Sequence, residues 1–112
     1  MLNEMKLQSL SFEKMKEGKK IIEIRLYDEK RRDIKIGDII EFTKEPKQAE
    51  TVKAEVIGLL NYKTFADLAD DFPASYFGHL GKEDLLKSIY TFYTKEQEER
   101  YTVLGIKIKL IT

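Results

Sequence analysis

Lys20, Glu23 and Arg25 fall close together in the run Gly18-Lys19-Lys20-Ile21-Ile22-Glu23-Ile24-Arg25. From Ile21 to Tyr27, apolar Ile22, Ile24 and Leu26 alternate with Glu23 and Arg25 at the period of two of a half-buried strand, so the carboxylate and the guanidinium share one strand face. Lys20 sits in the turn just before them. A lysine at a cleft can be desolvated until its amine is partly neutral, and a nearby carboxylate can activate water as a general base, each worth about 10² to 10⁴-fold in rate. The same residues admit a structural reading, in which Glu23 and Arg25 form an ion pair closing one end of the sheet and Lys20 is solvated. Lys19 carries a similar pair of alternatives, ligand contact or solvated cation.

Other chemistry is limited by composition. The chain has no cysteine and one histidine, so disulfides, thiolate zinc sites and a cysteine nucleophile are absent, and no metal or other cofactor is expected. His79 lies in Tyr76-Phe77-Gly78-His79-Leu80-Gly81, a glycine-flanked loop that can act as a lid; its simpler role is a local hydrogen bond. Tyr62, Tyr76, Phe77, Tyr93 and Tyr101 offer rings on which an unpaired base can stack, worth roughly 1 to 3 kcal/mol per base, with core packing as the competing use. Tyr101 escapes that competition most easily, on the strand face opposite Leu104 and Ile106.

Net charge is zero, with 20 basic and 20 acidic side chains, which excludes a histone-like binder and an acidic tail. The distribution is uneven: residues 1–35 carry ten Lys and Arg against seven Asp and Glu, and the remainder ten against thirteen. The basic excess is densest from Lys14 to Lys35, in two clusters, Lys14, Lys16, Lys19, Lys20 and Arg25, then Lys30, Arg31, Arg32 and Lys35, and a phosphate-bearing partner would choose this end. Plain solubility is the alternative use of such a cluster.

These residues need elements to position them. A length of 112 residues predicts a single domain over 1–112. Ser9 or Ser11 is placed to cap a short helix through Glu17 that stops at Gly18. The strand Ile21 to Tyr27 follows, then a polar connection Asp28 to Asp33, a turn at Gly37-Asp38 and a strand Ile39 to Thr43. Lys44 to Glu50 reads as a surface loop. Val52 to Leu60 reads as a strand interrupted near Gly58 and adjacent to the one before it. Thr64 and Asp67 resemble a capping box for a helix Phe65 to Asp70. The spacing of Leu85, Leu86, Ile89, Tyr90 and Tyr93 predicts an amphipathic helix over Lys82 to Tyr93, and Tyr101 to Ile111 is a final strand. This order predicts an α+β fold, a small mostly antiparallel β-barrel with covering helices, with Ile22, Ile24, Leu104, Ile106 and Ile108 in one core. The longest apolar runs are only four or five residues, so no membrane span or signal segment is expected and the expected location is cytoplasmic.

The Gly18 to Arg25 run, together with Ile36-Gly37-Asp38-Ile39-Ile40, resembles the signature of the ASCH superfamily, small PUA-like β-barrel domains. The start Tyr62-Lys63-Thr64-Phe65 and the run from Tyr93 through Arg100-Tyr101-Thr102-Val103-Leu104-Gly105-Ile106 also look like that family. The resemblance covers nearly the whole chain and implies an RNA-associated domain whose cleft lies between the barrel and the helix leading into the first strand. Its implied partner is RNA, a nucleoside or a nucleotide, with Lys19, Arg25, Tyr93, Arg100 and Tyr101 as the candidate contacts, and the charge asymmetry adds Lys30, Arg31 and Arg32 as candidate nucleic-acid contacts. Some bacterial members hydrolyse 4-acetylcytidine with a lysine, a threonine nucleophile and a later glutamate. By that resemblance Lys20 matches the lysine and Glu83 is the nearest later glutamate, while Glu23 stands where the threonine would be, so the attacking hydroxyl is missing. The functions this leaves are an RNA- or nucleotide-binding module and, as the alternative, an amidohydrolase of an acylated nucleoside acting through Lys20, Glu23 and Glu83; a third, blander option is a protein-interaction domain whose cleft binds no nucleic acid.

Overall fold

The structure, a computed structural model, describes residues 2–46 and 50–111. Strand β1 (Leu2–Gln8) runs directly into helix α1 (Ser9–Lys16). The helix carries Phe12 and Met15 inward and ends at Gly18, whose φ of 80° is the left-handed stop that a side chain would resist. Neither serine caps it: the N-cap residue is Gln8, without a side-chain cap bond. Strand β1 was missed because only Met5 and Leu7 carry its buried face, too short an alternation to stand out.

Strands β2 (Ile22–Leu26), β3 (Ile39–Glu45) and β4 (Thr51–Tyr62) come next. The predicted break in β4 is a register shift between Val56 and Gly58. Residues 47–49, within the predicted surface loop, lie outside the described residues. Helix α2 (Phe65–Asp71) is capped by Thr64, whose Oγ1 accepts from the Asp67 amide at 3.0 Å. A 3-10 turn at Ala74–Phe77 leads to α3 (Lys82–Phe92). An unpredicted helix α4 (Lys95–Tyr101) with a full Thr94/Gln97 capping box then enters β5 (Val103–Leu110). Tyr101 thus ends a helix, half-buried against the helical core, and has no place on a strand face.

The five strands form one sheet in the order β1-β3-β4-β5-β2, with β1 parallel to β3 and the other pairings antiparallel. This is an α+β fold with the sheet curled as a half-barrel; β1 and β2, its two edges, are not paired with each other. Apolar residues on the two faces make two clusters. The first lies under α1 and includes Met5, Leu7, Phe12, Phe42, Leu104, Ile106 and Ile108. The second joins Ile22, Leu26 and Val103 to Phe65, Leu68, Phe77, Leu85 and Ile89 of the helices and the 3-10 turn.

The expectation of one core for Ile22, Ile24, Leu104, Ile106 and Ile108 is therefore corrected. The register pairs Ile24 with Gly105 and Glu23 with Ile106. Residues directly opposite share a face, so Ile22 and Ile24 turn to the helices while Glu23 and Arg25 turn inward beside Ile106 and Leu104.

Glu98 ties the helices together from a buried position. Its carboxylate accepts the Phe65 amide at 2.7 Å and the Tyr90 hydroxyl at 2.8 Å, joining α2, α3 and α4. Replacing it by Ala orphans both donors and should cost about 2 to 4 kcal/mol, a fall of roughly 10 °C or more in melting temperature, whereas Tyr90→Phe should cost about 1 kcal/mol. Thermal melts of the two variants check this, and equal losses would show that the carboxylate is not the shared anchor.

Candidate functional site

Lys6, Leu7 and Gln8 of β1 and Glu23, Ile24 and Arg25 of β2 border one cleft of about 350 Å³. Successive side chains of a strand point to opposite faces, so three in a row border the same space only when that space follows the strand's edge. The cleft is the gap in the half-barrel. Ser11 of α1, Leu85, Ser88, Ile89 and Phe92 of α3, Tyr93, Phe77 and His79 complete its wall.

A chain of charge crosses one side of this gap. Glu23 Oε1 lies 2.8 Å from Lys20 Nζ, while its Oε2 accepts from Arg25 Nε at 2.8 Å and lies 2.7 Å from Nη2. Arg25 Nη2 also donates to the Lys6 carbonyl at 2.8 Å, so a guanidinium from one edge strand holds the backbone of the other. The side chains of Lys20 and Glu23 are only 8% and 6% exposed, which makes an unpaired charge there costly. Burial pushes the Glu23 carboxyl up, but Lys20 and then Arg25 outweigh it and bring it down to about 2. Burial likewise works against the Arg25 charge and is outweighed by Glu23 and then Tyr93, leaving its pKa above the usual arginine value. Burial is also the main cause of the raised Tyr93 hydroxyl. Two cations and one anion leave the Lys20–Glu23–Arg25 cluster with one net positive charge.

The loop before α3 holds Lys20 in place. Lys14 Nζ donates to the Gly78 carbonyl at 2.7 Å, and the Lys14 carbonyl accepts from the Lys20 amide at 3.1 Å. Gly78, at φ 84°, lies against the Lys20 stem: a Cβ there would touch Lys20 Cβ and Cδ at 3.4 Å each. His79 Nδ1 meets Asp84 Oδ2 at 2.7 Å, and this bond lowers the Asp84 pKa. Among the described residues no group of His, Asp and Glu could hold a metal ion.

The family profile described as "ASCH domain" matches residues 5–112. The chain belongs to the ASCH domain family. That family is part of the PUA-like superfamily. Two solved structures resemble this ASCH domain closely. One is the crystal structure of hypothetical protein PH0355, with a TM-score of 0.87 and 40% identity over 99% of this chain and 100% of that one. The other is the solution NMR structure of protein PF0455 from Pyrococcus furiosus, with a TM-score of 0.78 and 34% identity over 99% of this chain and 98% of that one. No functionally curated protein matches the sequence.

Of the residues singled out from the sequence, the ASCH domain brings Lys20, Glu23, Arg25, Tyr93, Phe77 and His79 to the cleft. It does not bring the others. Glu83 is exposed in the first turn of α3, whose cleft-bordering residues are Leu85, Ser88, Ile89 and Phe92. Lys19 is exposed and pairs with Glu17 at 3.4 Å. Arg100 is exposed on α4, its guanidinium 5.3 Å from the Tyr101 ring, and neither borders the cleft. Lys30 and Arg32 are exposed, Arg32 lying 5.0 Å from the Tyr27 ring, and Arg31 pairs with Asp28 at 2.9 Å.

Sequence reasoning missed Lys6, Gln8, Ser11, Ser88 and Phe92. The first two follow from the unrecognised β1. Ser88 was legible as the position next to Ile89 on the α3 stripe.

Glu23 gives the ASCH domain an acid-side weakness. Its folded pKa of about 2 lies below the ordinary 4.5, so its contribution is complete above about pH 4.5 and lost as pH falls toward 2. Glu23→Gln should flatten the fall of melting temperature over that window and, by leaving two buried cations unpaired, cost about 3 kcal/mol at pH 7. Calorimetry of both proteins from pH 7 to pH 2 tests this; identical slopes would remove Glu23 from the account.

Proposed function

We propose that this ASCH domain is a binding module that holds one nucleotide unit of RNA, or a free ribonucleotide, in the cleft between its sheet edges. The observation that carries the reading is the Lys20 ammonium. It is buried at the cleft wall, it has three protons to donate, and among the described residues its one acceptor is Glu23. A carbonyl or phosphate oxygen of a ligand meets that need, and the net positive cluster favours an anion. Phe92 and Tyr93 border the same space and offer rings against which a base can stack. ASCH domains as a family are proposed to bind RNA, which agrees with this reading. A cytoplasmic setting, where ribonucleotides are found, is part of the proposal.

The hydrolytic alternative fits the site less well. A carboxylate held at about 2 is a weak base at neutral pH, and position 23 offers no hydroxyl to attack an amide. For a longer RNA, the exposed Lys30 and Arg32 and the half-buried Arg31 between them supply phosphate contacts.

Lys20→Ala should weaken binding of ribonucleoside 5′-monophosphates by tenfold or more, as befits a lost charge-assisted bond. Replacing Lys30, Arg31 and Arg32 together by Ala should flatten the salt dependence of single-stranded RNA binding by about two units of slope, at roughly 0.7 per contact. Calorimetric titrations at several salt concentrations measure both effects. A protein that binds no ribonucleotide or short RNA at low salt would sink the proposal.

A further inference from the structure

Ile24 borders the cleft as the middle member of the β2 triplet, yet its side chain packs toward the helical core. What it presents along the strand edge is main chain, and the pairing with β5 fixes the direction of those groups. The Ile108 amide donates to the Ile21 carbonyl at 2.9 Å, and the Tyr27 amide donates to the Thr102 carbonyl at 3.0 Å. Hydrogen-bonded and non-hydrogen-bonded positions alternate in an antiparallel ladder, so Ile21, Glu23, Arg25 and Tyr27 bond to β5, and Ile22, Ile24 and Leu26 turn their N–H and C=O the other way. Among the described residues no strand pairs with β2 on that side, because β2 is a sheet edge. Among the described residues neither main-chain group of Ile24 has a hydrogen-bond partner.

We propose that Ile24 reads the ligand through its main chain, its N–H and C=O bonding to the edge of a nucleobase that carries an acceptor beside a donor. This inference rests on the binding function proposed above and adds to it the element that recognises the base. A backbone donor and acceptor on one residue match the adjacent acceptor and donor that nucleobases present on their pairing edges.

The surroundings select a flat ring over an added peptide strand. Strand addition needs several outward-facing residues in a row along the edge. Here Ile22 and Leu26, the other two outward-facing residues, do not border the cleft. On the opposite edge the Lys6 carbonyl is already taken by Arg25 Nη2. On the β2 side the space therefore offers one main-chain donor and acceptor pair, flanked by Lys20, Arg25 and the ring of Tyr93.

Amide hydrogen exchange of the ¹⁵N-labelled full chain tests this directly. In the free protein the Ile24 amide should exchange fast, while those of Glu23 and Arg25, bonded to β5, exchange slowly. Saturation with whichever of the four ribonucleoside 5′-monophosphates binds tightest should slow Ile24 at least tenfold. The same nucleotide methylated on the ring nitrogen of its pairing edge should bind about tenfold more weakly and leave Ile24 fast. Binding that shifts the Lys20 and Tyr93 signals but leaves Ile24 exchange unchanged overturns this inference and keeps the binding proposal. Failure of all four nucleotides to bind overturns both. Slowing of Ile22, Ile24 and Leu26 together on addition of a short strand-forming peptide would show strand addition instead and overturn the base reading.

Discussion

A sheet with two free edges has to do something with them, and this protein joins its edges through one guanidinium. Arg25 leaves β2, is gripped by Glu23, and ends on the Lys6 carbonyl of β1. A backbone ladder between β1 and β2 would have closed the barrel and left no cleft. The side-chain bridge holds the edges near each other while keeping a space between them, and the neighbouring features of the site depend on that choice.

The bridge has an energetic consequence that spreads outward. A guanidinium on the inner face of a half-barrel requires a counter-charge, and Glu23 on the same face supplies it. With both partners buried, the carboxylate has capacity for a second donor and takes Lys20. The Lys20 stem is in turn covered by the Gly78 loop, which rests on it and is latched by Lys14. The helices contribute through a different buried carboxylate, Glu98, which fixes α3 by way of Tyr90 and so fixes the far wall of the cleft. Two buried acids, one in the half-barrel and one among the helices, thus organise the two sides of one site.

The candidate site was legible where a short run of sequence builds it. Lys20, Glu23 and Arg25 belong to one turn and one strand, and period-two spacing alone puts two of them on a shared face. Tyr93 was legible from the α3 stripe. The residues that escaped come from elsewhere in the chain: Lys6 and Gln8 enter only through β1, whose weak alternation hid it, and Ser11 through the helix that β1 positions. Glu83, Lys19, Arg100 and Tyr101 were drawn in by nearness in sequence to family-like runs, and the folded helices carry them away from the cleft.

By itself the sequence determined the family resemblance, the α+β class, the neighbouring strands β3 and β4, and the amphipathic α3. Each of these rests on a local run, periodicity or cap, which neighbouring residues specify. It could not decide which way Glu23 and Arg25 face. A polar-apolar alternation ordinarily sends its charged face to water, and by that rule Ile22 and Ile24 belong in the barrel with Ile106 and Ile108. The tertiary structure reversed this, because α2, α3 and the 3-10 turn cover the outer face of β2 and β5 with a second apolar cluster. With both faces of the sheet covered, the inner position is open to charge only at an unpaired edge. The register of β2 on β5 places Glu23 and Arg25 at that edge.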